Sequence, residues 1–355
     1  MSETIQPIEI HKVQTSKLDQ VNFENLDFGK YYTDHMVVAD YQDGAWERPK
    51  IVPYGPMEIM PSSKILHYGQ SIFEGMKAFK DEAGRVWLFR PDQNQKRLNI
   101  SCKRMAIPEI PAEYFMESLK ALVNLDREWV KNGNGRSLYI RPFVFATENQ
   151  VAASPSTSYR FMIICSPAKA YYSTPVKVLI EQHYSRSADG GVGFAKAAGN
   201  YGAQFYPTNL AREKGYMQVI WTDAKTHEYL EEAGTMNVFF RIGDTLITAP
   251  TGDRILDGVT RKSIITLAED KGIDMEVRRI KVQEIVDAAE NGTLKEIFGA
   301  GTAATVAQIS GFEYDGIYRD LPQLENPWSL MLKKELQDIQ NNLAEDKFGW
   351  RVLVE

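Results

Sequence analysis

The stretch GGVGFAKAAGNYG, residues 190–202, governs how the rest of the chain is read. It sets one lysine, Lys196, among Gly, Ala, Val and Phe, with no other charged side chain from Gly190 to Gln204. A lysine so surrounded loses hydration, which favours its neutral amine. A neutral amine is what a lysine needs to condense with a carbonyl carbon. Composition alone supports a plainer alternative, a glycine-rich loop whose lysine points into water. The stretch is not a GxGxxG fingerprint. The chain holds no GxxxxGK[ST] and no GxSxG elbow.

On either side of it, other segments combine small residues with reactive ones. Gly258-Val259-Thr260 precedes a predicted helix over 260–271. Backbone N–H groups at a helix start suit a phosphate, and an ordinary N-cap at Thr260 explains the same residues. Gly299-Ala300-Gly301-Thr302 reads as a second cradle or as a glycine-rich turn. Between Lys196 and these cradles, YLEEAGTMNVF (229–239) carries Glu231 and Glu232 on an extended stretch, so the two point to opposite faces. One can be exposed while the other enters a site; the bland reading is two solvated acids. Upstream lie LHYGQSIFEGMKA (66–78), in which His67 reads as a core histidine, and Tyr139-Ile-Arg-Pro142. The five histidines are scattered, and no His/Cys cluster has metal-ligand spacing, so no metal is expected.

The remaining pattern mixes helix and strand. Strands are expected at 36–41, 86–90, 138–146, 160–165, 176–184, 217–222, 236–242, 245–249 and 275–280. Gly243-Asp244 turns a hairpin between two of them. Helices are expected from Pro91 to about Met105, with Pro in the first turn, and at 112–131, 201–214, 260–271, 281–290 and 327–343. Phe115, Leu119, Leu122 and Val123 share one helical face. The run 166–175 holds two prolines and no apolar period. It divides the chain into an N-terminal α/β domain with an arm (1–165), an interdomain loop (166–176) and a C-terminal domain (177–355).

With 355 residues, 43% hydrophobic and 25% charged, the chain is long enough for two real cores. Its net charge of −6 contains no long run of one sign, which argues against nucleic acid and anionic membranes as partners. Two distant cysteines, Cys102 and Cys165, make no disulfide framework and fit a reducing compartment. The N-terminus shows neither signal-peptide nor transit-peptide character, and no stretch approaches the ~20 apolar residues of a membrane span. A cytoplasmic protein is expected.

Taken in order, FGKYYTDHM, HYGQSIFEGMKAF, LFRPDQN, GGVGFAKAAGNYG and EEAGTMNVF resemble the branched-chain aminotransferases, within the fold-type IV pyridoxal-phosphate enzymes. The resemblance runs from about Phe28 to the C-terminus and overturns the solvated-loop reading of Lys196. It implies a mixed α/β and α+β chain, with a smaller N-terminal α/β domain and a larger C-terminal pseudo-barrel domain. It implies pyridoxal 5'-phosphate as cofactor, small-molecule amino acids and 2-oxo acids as partners, and a homodimer. Residue by residue, the Schiff-base lysine falls on Lys196. The partner of the cofactor's phenolic oxygen falls on Tyr201, and that of the pyridine nitrogen on Glu232 rather than Glu231. The phosphate cup falls on Arg97, Val259, Thr260 and Thr302, and Arg186 matches an arginine near the cofactor. Pocket positions fall on Phe28, Tyr68, Phe73, Tyr139, Arg141, Thr235 and Ala303. Where animal members carry a CxxC redox switch, this chain has Ala304 and Ala307.

The activity that the resemblance implies is transamination of leucine, isoleucine and valine with 2-oxoglutarate, Lys196 acting as base at the substrate α-carbon once displaced from the cofactor. Two rivals are weighed against it. A D-amino-acid transaminase or aminodeoxychorismate lyase is opposed by HYGQSIFEGMKAF and the TMN segment. An inactive binding protein of the same fold is opposed by the joint retention of Arg97, Lys196, Tyr201 and Glu232.

Overall fold

A computed structural model describes residues 7–133, 135–169 and 174–355. The chain divides into two compact units, residues 1–169 with 340–355, and residues 170–339. Among the described residues, each packs helices against a ten-stranded sheet.

In the first unit the strands follow the neighbour order Glu9–Ile10, Lys50–Pro53, His35–Gln42, Tyr159–Ala168, Ser137–Ala146, Met76–Lys80, Val86–Phe89 and Arg351–Val354. All these pairs are antiparallel except the first. Helix Pro91–Arg104 begins with proline in its first turn, where the missing N–H has no intrahelical acceptor to lose. It buries Asn94, Arg97, Leu98, Ser101 and Cys102 at helical spacing. In helix Ala112–Leu125 the expected face of Phe115, Leu119, Leu122 and Val123 is fully buried in the core with Ile51 and Ile140. Each such side chain contributes about 1.5–3 kcal/mol.

Three expectations for this unit change. Helix 112–131 stops at Leu125, because Asp126 turns its carboxylate to the His35 backbone N–H (3.1 Å) and Nδ1 (2.6 Å). A short 3-10 turn, Arg127–Trp129, follows. The expected loop beginning at 166 is still strand through Ala168, with Pro167 opposite Leu138. The ladder with strand His35–Gln42 reaches no further than Ile163, so the N–H that Pro167 lacks removes no bond from that pairing. Residues 170–173 of that loop lie outside the described residues. Finally, His67 is not a core histidine; it is exposed, with Nε2 at 2.9 Å from the Pro61 carbonyl.

The second unit has the order Asp274–Val277, Thr245–Thr248, Asn237–Ile242, Leu294–Gly301, Thr305–Tyr314, Val176–Ile180, Gln218–Thr222, Tyr229–Ala233 and Ile280–Lys281. Gly243 turns the expected hairpin with φ of 57°, a conformation open to a residue without Cβ. The core joins Val178, Ile220, Val238, Phe240 and Phe312 to Val282, Ile285 and Val286 of helix Val282–Glu290. The expected helix 201–214 is two pieces, Ala198–Gly202 and Phe205–Glu213. Pro207 sits in the first turn of the second piece, as its missing N–H requires.

The C-terminal stretch departs from the expected division. Strand Arg351–Val354 pairs with Val86–Phe89, Val352 facing Leu88, so residues 340–355 belong to the first unit. They cover a sheet edge that would otherwise present unpaired N–H and C=O groups. The units are therefore nearly equal in length, not small and large. Among the described residues no helix is long and apolar enough to cross a membrane.

Candidate active site

The second unit holds Lys196 in the short link between a loop and helix Ala198–Gly202. Ala195 and Ala197 are buried on either side of it, while Lys196 is half-buried. Asn200 fixes the approach, its Nδ2 donating to the carbonyls of Val192 (2.9 Å) and Ala195 (3.0 Å). Tyr201, five residues on, meets the lysine: Nζ donates to Oη at 2.7 Å.

Glu232 is 5% exposed on strand Tyr229–Ala233. Its carboxylate pairs with Arg186 Nη1 at 2.7 Å and accepts from Asn237 Nδ2 (3.1 Å) and the Leu256 N–H (3.2 Å). Arg186 also donates to the carbonyls of Gly193 (3.3 Å from Nη2) and Arg254 (3.0 Å from Nη1). A chain of charge and hydrogen bonds thus runs from Glu232 to within three residues of Lys196. Gly258 allows it, since a Cβ there would lie 2.0 Å from Asn237 Oδ1.

Helix Val259–Asp270 starts behind Gly258, which takes the N-cap position, leaving Thr260 inside the first turn. Val259 and Thr260 are buried. The first-turn N–H groups have no intrahelical acceptors and carry the positive end of the helix dipole. Thr302 and Ala303 stand in the turn after strand Leu294–Gly301. Gly299 and Gly301 let Thr235 and Met236 lie against that strand: a Cβ at Gly299 would meet Met236 Sδ at 2.6 Å, and one at Gly301 the Thr235 carbonyl at 2.9 Å.

In the first unit a separate constellation forms. Tyr139, 8% exposed, packs edge-on against Phe28 at 4.9 Å and accepts from Arg141 Nη2 at 3.0 Å. The Arg141 guanidinium lies 4.6 Å from the Phe73 ring centre. Gly75 makes room for this, because a Cβ would come within 2.2 Å of Tyr139 Oη. Tyr68 does not join these rings; it ends the short helix Lys64–Tyr68, 45% exposed, beside His67. Arg97, expected at a phosphate, forms a two-point fork with fully buried Glu74, Nε to Oε1 at 2.7 Å and Nη2 to Oε2 at 2.8 Å. Asn94 donates to the same Glu74 Oε2 at 2.7 Å.

Sequence reasoning missed several members. Glu74 stood as the only acid in SIFEGMKAF, a signal that its charge needed a partner. Asn94 lies one helical turn before Arg97. Glu231 is not solvated: it is 3% exposed, 2.6 Å from Arg254 Nε, and burial pushes its carboxyl up to about 7. Glu231 and Glu232 do face different partners, as alternation demands.

Similarity to known proteins extends over both units. The family model for class IV amino-transferases matches residues 71–312. A "Probable branched-chain-amino-acid aminotransferase" of Staphylococcus aureus (strain MRSA252) is 45% identical, covering 100% of this chain and 99% of its own. The "Branched-chain-amino-acid transaminase 1" of Bacillus subtilis (strain 168) is 44% identical, covering 93% of this chain and 94% of its own. Among solved structures, the fold is shared with the branched-chain amino acid aminotransferase from Thermobaculum terrenum in its PLP-form. The TM-score is 0.72 at 19% identity, over 90% of this chain and 98% of that one. Alike over its whole length to such relatives, this chain belongs to the class IV aminotransferase family, with the branched-chain aminotransferases.

Proposed function

We propose that this enzyme exchanges amino groups between leucine, isoleucine or valine and 2-oxoglutarate, with pyridoxal 5'-phosphate held covalently on Lys196. The observation that carries the reading lies in the second unit: a half-buried amine bonded to Tyr201 Oη at 2.7 Å, and a buried carboxylate, Glu232, held by Arg186, Asn237 and Leu256. These groups suit the cofactor's chemistry. The amine would hold its carbonyl carbon, the phenol its phenolic oxygen, and the carboxylate its ring nitrogen. First-turn N–H groups at Val259 and Thr260, with Thr302, suit its phosphate.

When bound, pyridoxal phosphate supplies an electron sink for charge developing at the substrate α-carbon. The chain's own residues do the rest. The Lys196 amine would act as the general base that takes the α-proton and returns it. Tyr201 holds the lysine amine in place. Glu232, paired with Arg186, would accept a bond from a proton on the ring nitrogen. In the first unit, the Arg97 guanidinium, held by Glu74, carries the charge that the family resemblance assigns to a phosphate. Within the first unit, the ring faces of Phe28, Phe73 and Tyr139 suit an aliphatic side chain. Arg141 and the Tyr139 hydroxyl offer the distal carboxylate of glutamate a cation and a phenol without removing the apolar ring faces.

The reading includes a homodimer, supported by the exposed apolar side chains Met57, Ile59, Met60, Leu66 and Tyr68 within one short stretch. It includes the cytoplasm, supported by two buried, unpaired thiols. The test is a purified-protein assay of leucine, isoleucine, valine and D-alanine as donors to 2-oxoglutarate. Glutamate formed from the three branched-chain donors is the expected result. Activity with D-alanine alone would overturn the substrate assignment.

A further inference from the structure

Loop 251–257, between strand Thr245–Thr248 and helix Val259–Asp270, touches both the loop that leads into Lys196 and the Glu232 carboxylate of the candidate site. On one side it meets the lysine loop. The Asp253 carbonyl accepts from the Phe194 N–H (3.1 Å), and its carboxylate accepts from the Gly190 N–H (2.8 Å). The Arg254 carbonyl accepts from Ser187 Oγ (2.8 Å) and Arg186 Nη1 (3.0 Å). The approach is so close that a Cβ at Gly193 would lie 2.6 and 2.7 Å from the carbonyls of Arg254 and Asp253. On the other side, the Leu256 N–H donates to Glu232 (3.2 Å), and its carbonyl accepts from Asn237 (2.9 Å).

The Arg254 side chain spans the same two sides. Nη1 is 2.6 Å from Asp189 Oδ1 in the lysine loop, and Nε is 2.6 Å from Glu231 Oε1, next to Glu232. Glu231 is buried, and among the described residues neither of its oxygens has an aligned hydrogen-bond donor; the contact with Arg254 is an ion pair. A carboxylate buried on these terms adds little to stability, since an apolar side chain of similar size would do as well or better. What the pair does supply is a fixed position for Arg254.

We propose that Arg254 is a positioning residue of the aminotransferase reaction, tying the Lys196 loop through Asp189 to the Glu232 strand through Glu231. The proposal rests on the reading in which Lys196 holds the cofactor and Glu232 faces its ring nitrogen. Through this tie, lysine and carboxylate keep one mutual register while the lysine is attached and while it is free. The state of Glu231 enters directly. Burial, Glu232 and Asp223 push its carboxyl up, Arg254 and Arg186 pull it down, and the balance stands at about 7. Loss of the Glu231 charge below neutrality leaves Arg254 held by Asp189 alone.

The test uses the holoenzyme and the variants Arg254→Met, Arg254→Lys and Glu231→Gln. Borohydride reduction and peptide mapping come first; a wild type in which Lys196 carries no cofactor overturns the parent reading and this inference with it. With Lys196 labelled, Arg254→Met is expected to lower kcat for leucine about tenfold or more, with KM changed less than about threefold. The pH midpoint of the cofactor's visible band should move by roughly half a unit. Amide hydrogen exchange in 186–195 should rise about fivefold or more. Arg254→Lys should recover part of kcat, because a charge remains but the two-sided fork does not. Glu231→Gln, which removes only one arm, serves if Arg254→Met fails to fold; it should flatten the pH dependence of kcat between about pH 6 and 8. A folded Arg254→Met enzyme with wild-type kcat, band midpoint and exchange overturns the inference alone, as does a Glu231→Gln enzyme with an unchanged pH profile.

Discussion

Adjacent carboxylates with different surroundings set the residue-scale chemistry. Glu232 is bonded by an arginine, an amide and a backbone N–H, whereas Glu231 has an ion pair and no aligned donor. Glu232→Gln should therefore lower kcat by about a hundredfold or more, a loss of about 2.7 kcal/mol in the transition state. The visible band should persist through Lys196. Glu231→Gln should cost far less, and the reverse ranking in steady-state assays would show that the strand register is wrong. Glu231 also makes a stability prediction. Its folded carboxyl is raised, mainly by burial, from 4.5 to about 7. The folded state therefore binds the proton more tightly than the unfolded chain. The stabilisation is complete below about pH 4.5 and is lost as pH rises through about 7. Thermal unfolding between pH 5 and 8 should show wild type losing a few degrees more than Glu231→Gln; parallel curves would refute it. Burial also pushes the Cys102 thiol up to about 12 and that of Cys165 well above its ordinary value. Peroxide should then produce no inactivation that dithiothreitol reverses.

At the scale of elements, helix Pro91–Arg104 is joined to the turn between strands Ser71–Phe73 and Met76–Lys80 by the Arg97–Glu74 fork, with Asn94 on the same carboxylate. Glu74 is fully buried. Removing Arg97 takes the two-point fork from a buried carboxylate, at a cost of about 3–5 kcal/mol. Arg97→Ala should thus lower the unfolding temperature as well as cofactor retention. Added pyridoxal phosphate would then restore activity only in part. An Arg97→Ala protein as stable as wild type would show that Glu74 takes up a proton or another partner at little cost. The helix that carries Arg97 was legible from its proline start. The arginine's partner was not, because Glu74 lies 23 positions away.

For the whole molecule, the chain's end matters to its beginning. Strand Arg351–Val354 closes the sheet beside Val86–Phe89. Deleting residues 350–355 should expose that edge and also remove Trp350, which packs edge-on against Phe89 at 5.7 Å. The expected outcome is aggregation on heating at lower temperature than wild type, read by light scattering. Unchanged scattering would mean that the edge is protected without the strand. Pattern alone assigned this segment to the second domain, since four residues carry no address for the sheet they join.

Features that depend on near neighbours could be read from the chain before any fold was known. The apolar setting of Lys196, the buried faces of the helices, the Gly243 turn and the order of five family segments all reside in local spacing. The candidate roles of Lys196, Tyr201 and Glu232 came from the family resemblance those segments carry, since composition alone left Lys196 a solvated loop residue. Other features had to wait for the folded chain: Asp126 ending its helix to meet His35, Pro167 continuing a strand, Glu231 buried against Arg254, and the last strand returning to the first sheet. Each of these turns on a partner remote in sequence. A charge or a strand edge states what kind of partner it needs, but not which distant residue folding brings to it.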